Sequence, residues 1–539
     1  CLFFAVSTTA QGFPNVARTP GDLLAGPIAP EQGRTAIVAW HGEHIVSVPE
    51  APGSQPGADL RIRVVDIQDL DSTGPAVTLY PASASGFHAH GYFKSGPYLY
   101  VGPHCLGDAL DPCDNTYPHD VWKDAFRIGG PDTPIGTSNL QRADIGDQQA
   151  LPLGSYQRAG AQSPWGLNDF WTYNAVGGDM WLAVRRNGDW VYDWNNGGAT
   201  TGPAIKATWD HLGLTGVTGF PFIMGNILIV ASDQAGTGVA TYDISDLSNP
   251  ILLDVLKEGN PGGYWPEIYS HYIFFPRRHG EGGVGSRAGY MVVDFEDPTD
   301  LKIVANRNLS GSNQYVTFQD EFAFMNKYKI DMRTFDVVLE LGTTPGLIDA
   351  SQFAMPLGNL LVTGGYGTDG PGLAVWAQQA AADTRGPYVA YHVPRPDQID
   401  FPTECPITLS IPETLKTETI VDGVSLILQP VGGSPIDTWH AFSQGKLLTV
   451  TPQQPLLLNT TYELILTSAI QDAAGNGLEP FSFRFSTGST HSGENQTPTI
   501  STFTATPMVP EPNTVATLAW SGSDPEGDDI EFRIDLGDG

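Results

Sequence analysis

A short pattern recurs seven times in the first 400 residues: a polar or glycine corner, then four or five residues of alternating apolar character. The copies are "EHIVSV" (43–48), "PYLYVG" (97–102), "DMWLAV" (179–184), "NILIVA" (226–231), "HYIFFP" (271–276), "EFAFMN" (321–326) and "NLLVTG" (359–364). Their starts lie 38 to 82 residues apart, the widest gap holding an insertion after the second copy. Most copies lead into a strand, an Asp, a turn rich in Asp, Ser or Pro, and a strand again. The clearest are "LRIRVVDIQDLDSTGPAVTLY" (60–80), "GVATYDISDLSNPILLDVL" (238–256) and "GYMVVDFEDPTDLKIVANR" (289–307). Several short strands per unit at a period of about 40 to 50 residues is the signature of propeller blades. Seven copies predict a seven-bladed β-propeller over residues 13–400.

The bulk numbers agree with an all-β chain. With 62 glycines, 43 prolines and only 16% charged residues among 539, turns are many and charged helix faces few. No long stretch has helical periodicity, and no run of about 18 apolar residues could span a membrane. The net charge of −32 excludes nucleic acid as a partner, because phosphate binding needs clustered Lys and Arg. Such acidity reads as solubility outside the cell, or as adaptation to calcium or salt.

Export is read from the start of the chain. "LFFAV" followed by "STTA" looks like the end of a signal peptide cut near Ala10, leaving residues 1–12 as its remnant. The rival reading makes Cys1 a lipidated first residue, but an apolar run directly behind such an anchor is unlike its usual polar tether. The other end stops in mid-pattern at "DLGDG", so the chain reads as a piece at both ends. Cys105 and Cys113 bracket "CLGDALDPC", which predicts a local disulfide; zinc with His104 and His119 is the alternative. Cys405 has no evident partner.

The candidate site centres on "GFHAHGYF" (86–93). Histidines at i and i+2 of a strand face the same way, so His88 and His90 can offer two imidazoles to one transition metal. The segment precedes a repeat copy, which places it on the innermost strand of a blade. His88 and His90 are then either plain inner-strand residues or ligands and acid–base groups at the channel mouth, where His104, His119, His271 and His279 could join them. Arg277 and Arg278, with Arg287 in "RRHGEGGVGSR", stand as a candidate anion site or a blade-connecting loop. The tryptophans of 165–194 either stack on sugars or fill core. No nucleophile elbow, HExxH helix, P-loop or dinucleotide fingerprint appears in a fitting context.

At "VVDIQDL", "TYDISDLSNP" and "VVDFEDPTDL" the chain resembles the LVIVD-repeat family of bacterial extracellular propellers. After the Pro-bearing segment 391–402, residues 401–488 resemble the bacterial Ig-like domain of S-layer and adhesin proteins, carried by Tyr462, "DAAGN" (472–476), Phe483, Phe485 and Thr487. A polar linker, 489–496, leads to 497–539, which resembles part of a PKD domain through Trp520, Asp524, Gly527, Asp528 and Gly537. These resemblances imply a propeller followed by Ig-like β-sandwiches. Asp524 and Asp528 are candidate calcium ligands, an acidic turn being the alternative. Together the features predict a secreted or cell-surface bacterial protein that binds an extracellular protein or glycan. The alternative is an extracellular hydrolase or lyase acting on polysaccharide, with His88 and His90 in its site.

Overall fold

The computed structural model describes residues 17–28, the strands between 35 and 209 mostly as backbone, most of 215–489, and the strands Thr499–Thr506 and Thr517–Ser523. Every long element is a β-strand. Six four-stranded antiparallel sheets form meanders, and a seventh four-strand meander is half of an eight-stranded sheet. In chain order their first strands are Thr35–His41, His88–Ser95, Thr172–Gly177, Gly219–Met224, Glu267–Tyr269, Thr317–Gln319 and Ala354–Leu357. First strands touch from the first sheet through the fourth and between the sixth and seventh. Seven successive four-strand meanders are the arrangement of a seven-bladed propeller, and the sheets are numbered below as blades 1 to 7.

Each of the seven sequence repeats is the second strand of its blade, as in Ile227–Ser232 for "NILIVA" and Tyr272–Arg277 for "HYIFFP". Burial falls from the axis outward. In blade 4, Gly219–Met224 is buried throughout, while the outermost strand Ile251–Leu256 begins exposed. Both faces of an inner strand pack on neighbouring blades, so these strands are apolar on both sides and not strictly alternating. The recurring Asp has a turn role. Asp243 Oδ1 accepts from the backbone N of Ser245 at 2.8 Å, and Asp294 Oδ1 from that of Glu296 at 2.8 Å. Each carboxylate thereby satisfies the donor of the bend between the third and fourth strands.

The ring closes with a segment from the far end of the chain. Leu23–Ile28 pairs antiparallel with Leu373–Ala377 as the fourth strand of blade 7. Without it the fully buried strand Leu373–Ala377 would be a bare edge.

The Ig-like module is a two-sheet sandwich. One sheet orders Tyr391–Val393, Ile407–Ser410, Leu447–Pro452 and Thr438–Ser443; the other Leu426–Pro430, Thr461–Leu466 and Phe481–Ser486. The Pro-bearing segment 391–402 therefore contributes a strand of the sandwich. The first sheet does not stop at the module boundary. Its strand Thr438–Ser443 pairs with the first strand of blade 2, Phe442 opposite Lys94 and Ser443 opposite Phe93. One apolar cluster likewise runs from propeller residues such as Met224, Ile268 and Met355 through Val393 and Phe401 to Leu464 and Phe485. Thr499–Thr506 and Thr517–Ser523 form a separate antiparallel pair.

Candidate functional site

The first and second strands of blades 4 to 7 are joined by two-residue turns that begin in the left-handed region: Gly225 (φ 63°), Ser270 (φ 55°), Asp320 (φ 54°) and Gly358 (φ 58°). These turns share one face of the propeller, and the Ig-like module sits on it. In the strand Ile407–Ser410, Ile407 and Leu409 face the sandwich core, while the alternate hydroxyls turn to the propeller. Thr408 Oγ1 accepts from the Gly225 backbone N at 3.1 Å, and Ser410 Oγ from that of Ser270 at 2.9 Å. Ser270 Oγ in turn donates to the Ala390 carbonyl at 3.2 Å. The non-glycine Ser270 thus holds its strained backbone where docking supplies partners. A Cβ at Gly225 would run into Val393.

Toward the axis, the buried Lys446 of the Ig-like module reaches the first strand of blade 5. Its Nζ lies 3.2 Å from Glu267 Oε1, donates to the Val316 carbonyl at 3.1 Å, and stands over the Phe318 ring. Trp265 Nε1 donates to the same Glu267 oxygen at 3.0 Å. Burial drives the Glu267 carboxyl up and the Lys446 amine down, and each opposes the other's shift. Phe220, Trp265 and Tyr315 pack edge-on or tilted beside the pair.

A second polar cluster lies where the segment leaving blade 7 meets the sandwich. Asp383, Glu413 and Asp472 are buried, and one oxygen from each lies within 4.8 Å of the others. Asp472 accepts from the Asn476 backbone at 2.8 Å and from Asn476 Nδ2 at 2.9 Å, closing the "DAAGN" turn. Asp383 Oδ1 accepts from the Arg385 backbone at 3.1 Å, and its Oδ2 from Gln319 Nε2 at 3.4 Å. Burial and the nearby Asp472, Asp320 and Asp383 push the Glu413 carboxyl well above the usual range. Burial lifts Asp472 to about 6 against the pull of Asn476, and Asp320 to about 6 against Arg385. Arg385 bridges to Asp320 at 3.4 Å and to Glu321 at 2.5 Å.

The residues singled out from sequence fall as follows. His88 opens the first strand of blade 2, His90 is two residues on, and His88 pairs in register with His104 of Tyr98–His104. The Ig-like module pairs with the other end of that strand, at Phe93 and Lys94. At about 3.3 Å per residue, His88 is roughly 20 Å along the strand from Lys94, toward the face opposite the docked module. His271 belongs to the turn of blade 5, on the docked face, with Asp294 and Glu296 near its Nε2 at 4.0 and 3.9 Å. Arg277 is buried; its guanidinium donates to the carbonyls of Gly262 and Asn260 and to Asn306 Oδ1 at 3.1 to 3.3 Å. Cys405 is a buried free thiol. His119, Arg278, Asp524, Asp528, Cys105 and Cys113 lie outside the described residues.

Sequence reasoning passed over Lys446, Glu267, Glu413 and Asp383. The available signal was a charged side chain beside an apolar strand, as in "GKLLTV" and "PEIY".

Residues 383–487 match the family model for the bacterial Ig-like domain, so all three clustered carboxylates fall within that domain. No curated protein matches the chain. Similar solved structures include a eukaryotic initiation factor, 11% identical over 85% of this chain and 93% of that one, with a TM-score of 0.26. The extracellular domain of a hybrid two-component system from B. thetaiotaomicron is 10% identical at a TM-score of 0.38. That match covers 87% of this chain, which spans 59% of that neighbour's length.

Proposed function

We propose that this chain is a secreted or cell-surface bacterial binding protein, in which the propeller carries the recognition face and the Ig-like module is its fixed mount. The observation that carries this reading is the docking itself. Lys446, Thr408 and Ser410 bury their polar groups against propeller residues, so the module occupies the turn face and leaves the opposite end of the first strands to a partner. The match to a bacterial Ig-like domain and the charge of −32 support an exported setting, and no helix of the described residues is long and apolar enough to cross a membrane. The partner class is an extracellular protein or a glycan.

One observation favours a second reading, a polysaccharide hydrolase or lyase. His88, His90 and His104 gather on paired strands at the end of blade 2 away from the mount. The test is to present the purified chain with immobilised glycans and extracellular proteins while assaying soluble polysaccharides for new chain ends. Saturable binding without cleavage is expected. Cleavage that disappears in His88→Ala/His90→Ala, together with loss of a stoichiometric transition metal, would replace the binding reading by the enzymatic one.

A further inference from the structure

The carboxylate cluster has a composition that a folded protein does not leave uncompensated. Three acidic side chains are buried together, with Asp320 close enough to raise the Glu413 carboxyl further. The neighbouring cations oppose this charge only through space, because their own contacts lie outside the cluster: Arg385 pairs with Asp320 and Glu321, and Lys329 with Gln378 Oε1 at 3.2 Å and the Phe322 ring. Two of the three carboxylates have neutral donors of their own: Asn476 for Asp472, and the Arg385 backbone with Gln319 for Asp383. Glu413 does not. It is 4% exposed, and its Oε2 has no hydrogen-bond partner. A buried carboxylate oxygen left unpaired is strongly unfavourable unless a proton or a cation meets it.

We infer that Asp383, Glu413 and Asp472 form a calcium site that ties the segment leaving the propeller to the Ig-like sandwich. The donors are all hard oxygens, which suits calcium and not zinc or copper. The number of carboxylates suits it too. Magnesium gives up its waters reluctantly and is usually held by one or two carboxylates, whereas three buried carboxylates with an oxygen each within 4.8 Å of the others suit the all-protein oxygen cage of calcium. The three ligands come from separated places: Asp383 follows blade 7, Glu413 follows the strand Ile407–Ser410, and Asp472 opens the turn before Phe481–Ser486. An ion held by all three would tie both sheets of the sandwich to the segment that enters from the propeller. Asn476 Nδ2, which also reaches the Asp383 carbonyl at 3.4 Å, already links two of these places. The site does not depend on what the propeller binds.

The test uses the whole chain, stripped with a chelator and titrated with calcium chloride, read by calorimetry and by thermal unfolding. Calcium should raise the unfolding midpoint by about 5 °C at a concentration roughly 100 times the Kd. Glu413→Gln should unfold no earlier than the stripped wild type, because it removes a buried charge, yet bind calcium at least tenfold more weakly. Asp383→Asn should lose the response in the same way. The inference is overturned if calcium leaves the wild-type midpoint unchanged, which would mean that the cluster is held by protons. It is equally overturned if the response survives in Glu413→Gln and disappears in Asp524→Asn/Asp528→Asn, which would assign the ion to the acidic C-terminal stretch.

Discussion

Lys446 is the residue on which the mounting of the two modules turns. Its stem leaves the sandwich beside Leu447, and its amine ends among propeller groups: the Glu267 carboxylate, the Val316 carbonyl and the Phe318 ring. A buried pair of this kind adds little against an apolar replacement of the same volume, but breaking one half strands the other charge. Lys446→Met should therefore cost about 3 to 5 kcal/mol in denaturant unfolding, whereas Lys446→Met/Glu267→Leu should recover most of that loss. Equal midpoints for the single and double variants would show that the pair carries no coupling. Glu267 illustrates how little of this is visible locally. In "WPEIY" it looks like an ordinary polar position of a short strand, and only the approach of a residue 179 positions later gives it a partner.

At the scale of elements, the strand Tyr391–Val393 joins the modules and contains a titratable group in an apolar setting. His392 stacks on Phe483 with ring centroids 3.9 Å apart, and its Nδ1 donates to the Pro394 carbonyl at 2.6 Å. Burial pulls the imidazole down to about 4 from its ordinary 6.5. The unfolded chain therefore binds more protons than the folded one between those values, so this contribution rises with pH. It is complete above about 6.5 and is lost as the pH falls toward 4. Comparing wild type with His392→Phe by chemical denaturation at pH 7 and pH 4.5 isolates the effect from the raised carboxyls, whose slope is opposite. The wild type should lose up to about 3 kcal/mol more than the variant over that range. Parallel stability curves would remove His392 from the account. The neighbouring strand Ile407–Ser410 shows what was legible at this scale. "ITLS" announces a half-buried strand by its alternation, but the second face, which looks destined for solvent, is buried against the turns of blades 4 and 5.

For the whole molecule, the ring depends on a closure that no repeat encodes. Leu23–Ile28 lies outside the seven copies, yet it supplies the fourth strand of blade 7 through the pairs Leu23 with Trp376, Ala25 with Val375 and Ile28 with Leu373. Removing residues 1–28 should expose the apolar edge Leu373–Ala377, lower the midpoint of thermal unfolding by several degrees and produce larger species in gel filtration. An unchanged midpoint with a monomeric profile would show that the ring holds without its latch.

The kind of unit and the number of units are legible locally. Seven apolar second strands, three of them followed by clear Asp-led turns, mark seven four-strand units, and "DAAGN" before "FSFRF" marks the closing hairpin of an Ig-like sandwich. Periodicity and turn chemistry act over a few residues, so they are written locally. The tertiary structure alone decided which face the sandwich covers, that Lys446 finds Glu267, and that Asp383, Glu413 and Asp472 meet. Those partners are separated by 30 to 179 residues, and nothing in the spacing of two distant charges says that packing will bring them together out of water. The same reason leaves the two histidines of "HAH" fully legible as a pair on one strand and silent about what faces them.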